Sequence, residues 1–452
     1  MTKHPLLPSL CLVAACIFTI PAASAAEPPA RSWSKPELVG SNDGGDALYP
    51  LAGFDDKGNA IAVWDQSDGT RFSIWSSRHV PGTGWSKPEL IEHNDGGDAM
   101  NHYIAMHSSG SAIVVWMQAS GKTFLKNAPR IDTWANRYTP DRGWEAAQLI
   151  DFPTEGLTRF PHVAIDRKGN AMAAWHRSDG GNYSIFTSRL TAGGDWTKPE
   201  LIEFDDTGNA FWPRVALDGE GNAIVTWNQF DGTWYNIWAN RYTPAKGWEK
   251  PQLIENDNAG SAYYSRTVFD SKGNAISVWE QLDEKTSHIW SNRYVAGRGW
   301  GKAERIDRPD SVNSVYPQID IDANDNAMVV WGQNEGPHAS TWSNRYVAGR
   351  GWGKAEQISS ADTADSIGVR IALQANGNAF AVWQQRNDDR YSIWANRYVA
   401  GRGWGKAELL EHDDTGHAIG PSIAVDSNGR AIAMWQQQTD GKLFRIWASR
   451  FE

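Results

Sequence analysis

A tryptophan recurs along this chain at a nearly fixed interval. Trp33, Trp85, Trp144, Trp196, Trp248, Trp300, Trp352 and Trp404 each open a similar phrase, as in GWSKPELIE, and are 52, 59, 52, 52, 52, 52 and 52 residues apart. A fixed period of this length marks a repeat architecture and constrains the fold before any secondary structure is assigned. A second set, Trp64, Trp116, Trp175, Trp227, Trp279, Trp331, Trp383 and Trp435, closes an apolar run in each unit. A third set falls in an IWxNRY-like phrase at Trp75, Trp134, Trp238, Trp290, Trp342, Trp394 and Trp447, with Phe186 in the remaining slot. The three sets take 23 of the 25 tryptophans and leave only Trp212 and Trp234 outside the repeat.

Four short β-like segments alternate with turn signals inside one unit. In residues 211–255 they are FWPRVALD, AIVTWNQ, YNIWANRY and WEKPQLI, separated by a Gly-Glu-Gly-Asn turn, an Asp231-Gly232 hairpin turn and the stretch Pro244 to Gly247. No window keeps a helical period long enough for a helix. Four antiparallel strands repeated about every 50 residues describe a β-propeller blade. An open β-solenoid is the competitor, but its rungs are usually shorter and need distinct caps. The chain ends favour the propeller: residues 33–39 read as a fourth strand and residues 445–451 as a third strand. The N-terminal strand can then complete the last blade and leave no open sheet edge. The expectation is an all-β chain forming one eight-bladed propeller over residues 32–452.

The repeat also explains most of the tryptophan. Large flat rings fill the wedge between neighbouring sheets, each burying about 150 to 250 Å². Likewise the Asp-x-x-Gly-Asn phrase, as at Asp218 to Asn222, is first of all a turn in which Asp bonds nearby amides and Gly takes positive φ. Phrases such as GNAIVTWNQFDGTWYNIWANRY and GNAFAVWQQRNDDRYSIWANRY make the whole chain after residue 31 similar to the Trp-rich GNAxxVW-type repeat arrays of exported bacterial β-propeller proteins. The turn loosely resembles that of sialidase-type Asp-box repeats, although the box itself is not matched. The resemblance implies architecture and no single activity, so function has to come from the site.

Residues 1–25 read as a secretory signal peptide: Lys3 and His4, an apolar stretch from Leu6 to Ile20, and the small-residue site Ala23-Ser24-Ala25. Residues 26–31 then form a short linker. The stretch is too short and too interrupted by proline for a transmembrane span. Both cysteines, Cys11 and Cys16, lie inside it, so disulfides and thiolate metal sites are not expected in the exported protein. Cleavage removes Lys3 and takes the net charge from −10 to −11. Val13-Ala14-Ala15-Cys16 also resembles a lipobox, which makes a lipoprotein the minor alternative to a periplasmic or extracellular protein. An acidic chain of this kind argues against nucleic acid as a partner. The acidic loops Asp205-Asp206-Thr207-Gly208 and Asp413-Asp414-Thr415-Gly416 could hold structural Ca²⁺, but they lack a fixed EF-hand-like spacing, and solvated turns explain them better. No other cofactor is indicated.

Departures from the internal consensus locate the candidate site. The loops between second and third strands, and between fourth and first strands, gather on one face of a propeller. Blade 2 carries a seven-residue insertion in such a loop, around Lys122 to Arg130. Blade 3 departs most in chemistry: where most units place Gln two residues after the second-strand Trp, it has His176-Arg177, and its first strand begins Arg159-Phe160-Pro161-His162. If Asp166 pairs near Ala171, His162 falls opposite Trp175 or His176, and Arg159, His162, His176 and Arg177 cluster at one blade end. Such a cationic patch suits a carboxylate or sulfate, with arginine as the bidentate partner.

The slot of His162 is filled by Tyr103, Arg214, Arg266 and Arg370 in blades 2, 4, 5 and 7, a candidate ring at the channel mouth. Trp212 and Trp234 are candidates for stacking on a sugar. His102 and His107 do not make a metal pair, because five strand residues separate them by about 16 Å. Arg298, Arg350 and Arg402 stand on the other face in copies of one duplicated phrase, and no Ser-His-Asp order, phosphate loop or HExxH phrase is present.

Three functions compete. The leading one is a non-catalytic exported protein that binds a glycan or other anionic ligand at the top of blades 2–4, through Arg159, His162, His176, Arg177, Trp212, Arg214, Trp234 and Arg266. The second is a polysaccharide lyase acting on uronic-acid glycans, with His162, His176, Arg177 and Tyr183 as candidate catalytic residues: a cation neutralises the carboxylate while His or Tyr takes a proton. The third is an envelope scaffold that binds protein.

Overall fold

The computed structural model describes residues 31–40, 44–92, 97–120, 130–151, 156–178, 180–204, 208–255, 260–283, 285–335, 338–359, 365–387, 389–412, 415–439 and 442–452. The calcium candidates 205–207 and 413–414, and the insertion apart from Arg130, lie outside them. Every regular element among the described residues is a β-strand, and the arrangement is β-propeller-like.

Unit 4 shows the local logic. Its first three strands, Ala210–Leu217, Ala223–Phe230 and Tyr235–Thr243, form an antiparallel meander. The expected fourth strand is broken into Gly247–Trp248 and Gln252–Leu253, whose pairing with the third strand differs by one residue of register. Pro251 is tolerated because it falls in this interruption, off the ladder. The same break occurs at Ala303 in unit 5, so it belongs to the repeat rather than to proline.

The strands collect into seven sheets, one of which has nine strands because a single parallel pair, Leu157 with Ile131, joins units 2 and 3. The N-terminal strand Glu37–Gly40 pairs antiparallel with the last strand, Leu443–Phe451. Arg450 Nε donates to Glu37 at 2.7 Å across that junction, and Trp33 packs edge-on against Phe380 and Phe451.

The core lies between units. Second strands are buried on both faces, which is why they read as continuous apolar runs instead of alternating ones. Trp227, with no exposed surface, packs against Met172, Ile185 and Ile202 of the preceding unit. All eight second-strand tryptophans are buried in this way, and in seven of them the indole N–H donates to the Gln two residues on, as Trp227 does to Gln229 at 2.9 Å. The Asp-x-x-Gly-Asn phrase is the expected turn: Asp218 Oδ1 accepts from the amides of Glu220 and Asn222, with Gly221 at φ +87°.

One backbone feature positions the site. Each first strand carries a bulge, and one residue within it has positive φ: Tyr49, Asn101, Phe160, Trp212, Tyr264, Tyr316, Gly368 and Gly420. A left-handed non-glycine residue in a strand is uncommon and re-aims its side chain out of the pleat.

Candidate functional site

The bulge is held from the neighbouring unit. In six units the residue directly after the second-strand Trp accepts a hydrogen bond from the amide at the next unit's bulge: Gln436 from Tyr49, Asp65 from Asn101, Met117 Sδ from Phe160, His176 from Trp212, Glu280 from Tyr316 and Gln384 from Gly420. His176 therefore sits at a structural joint of the repeat. It is buried, and loss of hydration together with the charge of Arg159 holds its pKa down to about 3, so the ring is neutral.

The bulge also corrects the expected register. Arg159 pairs with His176, and His162 pairs with Ala174, not with Trp175 or His176. The four basic residues of unit 3 accordingly separate into three places. Arg159, His176 and Tyr183 border a surface cleft. Arg177 turns into the interface between units, where Nη1 donates to Asp151 at 2.8 Å and the guanidinium lies 3.8 Å over the Phe186 ring. It replaces the usual Gln, and Trp175 Nε1 is left without an acceptor among the described residues. His162 lies apart from the cleft, its centroid 4.2 Å from that of Tyr103, and Nδ1 accepts from the Val215 amide. Burial, then the cations Arg214 and Arg266, push its pKa well below the ordinary imidazole value.

The cleft has a volume of about 400 Å³ and is walled almost entirely by rings. Phe160, Trp212 and Tyr264 reach it from the bulges of units 3, 4 and 5, while Phe211, Tyr235 and Tyr263 stand beside them. The rings form a connected series: His176 to Phe211 at 5.2 Å, Phe211 to Trp212 at 5.8 Å, Trp212 stacked on Tyr264 at 5.6 Å and 28°, and Tyr264 to Tyr316 at 4.7 Å. Among the described residues, Arg159 is the only charged one in the wall. A concave apolar surface with one polar group at its border is the usual form of a small-molecule site.

Trp234 does not line this cleft. It lies 41% exposed at a hairpin tip, where Asp231 caps the amides of Thr233 and Trp234. Arg214, Arg266 and Arg370 do not line the cleft either: the Arg214 guanidinium lies 5.1 Å from the Tyr103 ring, and Arg266 Nε donates to Gln318 at 3.3 Å. Of the discounted histidines, His102 is buried against Asp65 at 2.6 Å and His107 bonds Ser109 and the Arg167 carbonyl. Among the described residues no three His, Cys, Asp or Glu side chains converge as a metal site.

Sequence reasoning missed the aromatic wall beyond Tyr183 and Trp212. The signal was present: aligning the units by their repeat puts Tyr49, Phe160, Trp212, Tyr264 and Tyr316 in one column.

No family model and no curated protein matches the chain. Solved structures with a related chain course include polysaccharide lyase Uly1, at 12% identity and a TM-score of 0.46 over 82% of this chain and 93% of that one. The K499G mutant of NanB sialidase from Streptococcus pneumoniae is similar over 83% of this chain and 70% of its own, at 11% identity and a TM-score of 0.44. The α-L-arabinanase of Penicillium chrysogenum in complex with arabinobiose is similar over 66% and 94%, at 12% identity and a TM-score of 0.42.

Proposed function

We propose that this protein is an exported, non-catalytic glycan-binding protein built as an eight-bladed ring, and that the aromatic cleft over units 3 to 5 is its binding site. The ring is supported by the pairing of Glu37–Gly40 with Leu443–Phe451 and by Tyr49 donating to Gln436 across the same junction. The binding role rests on one observation: bulges in three consecutive units turn Phe160, Trp212 and Tyr264 into a single cleft with Arg159 at its border. Flat rings take the apolar faces of sugars with little loss of side-chain freedom, and Arg159 offers a fork of donors to hydroxyls or a carboxylate. Because these rings occur together in neighbouring units, the ligand occupies one place on the ring instead of one place per unit.

The test is calorimetric titration of the purified protein with a panel of neutral and acidic oligosaccharides, with Trp212→Ala as the control. Saturable binding that weakens about tenfold in Trp212→Ala supports the assignment. Equal binding by both proteins removes the cleft from it, and unsaturated uronate products appearing in the same mixtures would replace the binder with a lyase.

A further inference from the structure

Arg214, Arg266 and Arg370 come from units 4, 5 and 7 and adopt one pose. In each, Nη1 donates to the carbonyl of the preceding residue: Pro213 at 3.5 Å, Ser265 at 3.2 Å and Val369 at 3.4 Å. Those bonds orient the guanidinium groups without neutralising them. Among the described residues no carboxylate lies within ion-pair distance of any of the three. Every second-strand clamp that carries charge, such as Asp65 or Glu280, is spent on a bulge amide instead. All three leave the same strand slot as Tyr103; the Arg214 guanidinium lies 5.1 Å from the Tyr103 ring, the charges of Arg266 and Arg370 also act on its phenol, and its other neighbour is the neutral His162. On its other side Tyr103 has only Leu51 of unit 1 in the same strand slot, and the neighbouring His102 is turned to Asp65. Arg370 is exposed and the others are partly so, which leaves the cluster open to solutes. Like charges gathered between low-dielectric walls make a local positive potential, here within a chain of net charge −10.

We propose that Arg214, Arg266 and Arg370, with the Tyr103 hydroxyl as a fourth member, form a site for an oxyanion, either a free sulfate or carboxylate or the same group carried by a glycan. The site is separate from the aromatic cleft and does not depend on what binds there. Tyr103 adds a proton linkage. Burial by itself would raise its phenol, but the three arginines override this and bring it down to about 8, while burial and Arg214 lower Arg266 to about 9. The phenolate is thus the counter-charge at alkaline pH. An incoming oxyanion displaces that role, and the phenolate takes one proton from solvent as the anion binds. Binding and protonation are reciprocal, so anion affinity falls as Tyr103 ionises.

The experiment titrates the full-length exported protein with sodium sulfate, glucuronate and glucose at constant low ionic strength, following heat and near-ultraviolet tyrosinate absorbance. Sulfate or glucuronate is expected to bind, glucose is not expected to bind at this cluster, and sulfate affinity should fall about fourfold between pH 7 and pH 8.5 from the linkage. Arg266→Gln should lose at least tenfold in sulfate affinity, and Tyr103→Phe should bind sulfate at pH 7 with a flattened pH dependence. A glucuronate-bearing oligosaccharide preferred over sulfate, and lost in Arg266→Gln, identifies the glycan as the source; equal affinities identify the charge alone. Unchanged sulfate binding in Arg266→Gln overturns the site. If that variant does not fold, wild type and Tyr103→Phe decide it: identical pH profiles for the two overturn the proposal. Trp212→Ala should keep its sulfate affinity whether or not the cleft binds a glycan, and loss of sulfate binding in that variant would overturn the separation of the two sites.

Discussion

His176 Nδ1 lies 3.3 Å from the backbone N–H of Trp212, so a residue of one unit fixes the strained backbone that displays the central ring of the next unit's cleft. The same position is Gln in units 7 and 8, where it makes the same bond. His176→Gln should therefore keep the clamp, whereas His176→Ala leaves a partly buried amide without its acceptor and should cost about 1 to 3 kcal/mol. The pH dependence separates them further. A histidine held at about 3 against an ordinary value of 6.5 favours the fold above pH 6.5, and that contribution is lost as the pH falls towards 3. Thermal unfolding from pH 7 to pH 4 should show wild type losing up to a few kcal/mol that His176→Gln retains, at about 1.4 kcal/mol per pH unit.

Arg177 and Phe186 are a paired exception to the repeat. Restoring only half of the consensus should be harmful: Phe186→Trp crowds the guanidinium 3.8 Å away, and Arg177→Gln takes the cation from buried Asp151. The double variant recreates the arrangement of unit 4, where Gln229 accepts from Trp227 and donates to Glu203. Its stability should exceed the sum of the single effects by about 1 to 3 kcal/mol in a double-mutant cycle. Additive losses would show that the two changes arose separately.

Glu280 clamps the Tyr316 amide from a buried position, and burial lifts its carboxyl to about 7 from its ordinary value of 4.5. A carboxyl raised in the fold favours the native state below pH 4.5, and this is lost as the pH rises through 7. Glu280→Gln should raise the melting temperature at pH 8 and leave it nearly unchanged at pH 4.5. The opposite ordering would mean that the ionised carboxylate is the better clamp.

The two tryptophans outside the repeat should part company in binding assays. Trp212→Ala should weaken glycan binding about tenfold, near 1.4 kcal/mol, through loss of its stack on Tyr264. Trp234→Ala should stay within about twofold, because its ring stands off the cleft at a hairpin tip. Calorimetry on both variants checks the pair.

The strands and the buried tryptophans were legible in the sequence because period, turn residues and apolar runs all act locally. The site was legible only in part. Arg159, His176, Tyr183 and Trp212 do border one cleft, but a two-residue alternation cannot foresee a bulge, and the bulge sets His162 opposite Ala174 and against Tyr103. Arg177 misled for a different reason: a cation in a repeat of glutamines signals binding only if no partner is near, and Asp151 lies 26 positions earlier in the chain. Tyr264 and Tyr263 went unnoticed because two adjacent tyrosines in a strand ordinarily point to opposite faces, whereas positive φ at Tyr264 brings both to one cleft.

In six units the left-handed residue of the first strand is held through a hydrogen bond from its backbone amide, so the hold does not depend on its side chain. Nature has already placed Tyr, Asn, Phe, Trp and Gly there on the same frame. Those positions behave as interchangeable display sites, so ligand preference can drift or be re-engineered one side chain at a time while the scaffold beneath stays as it is.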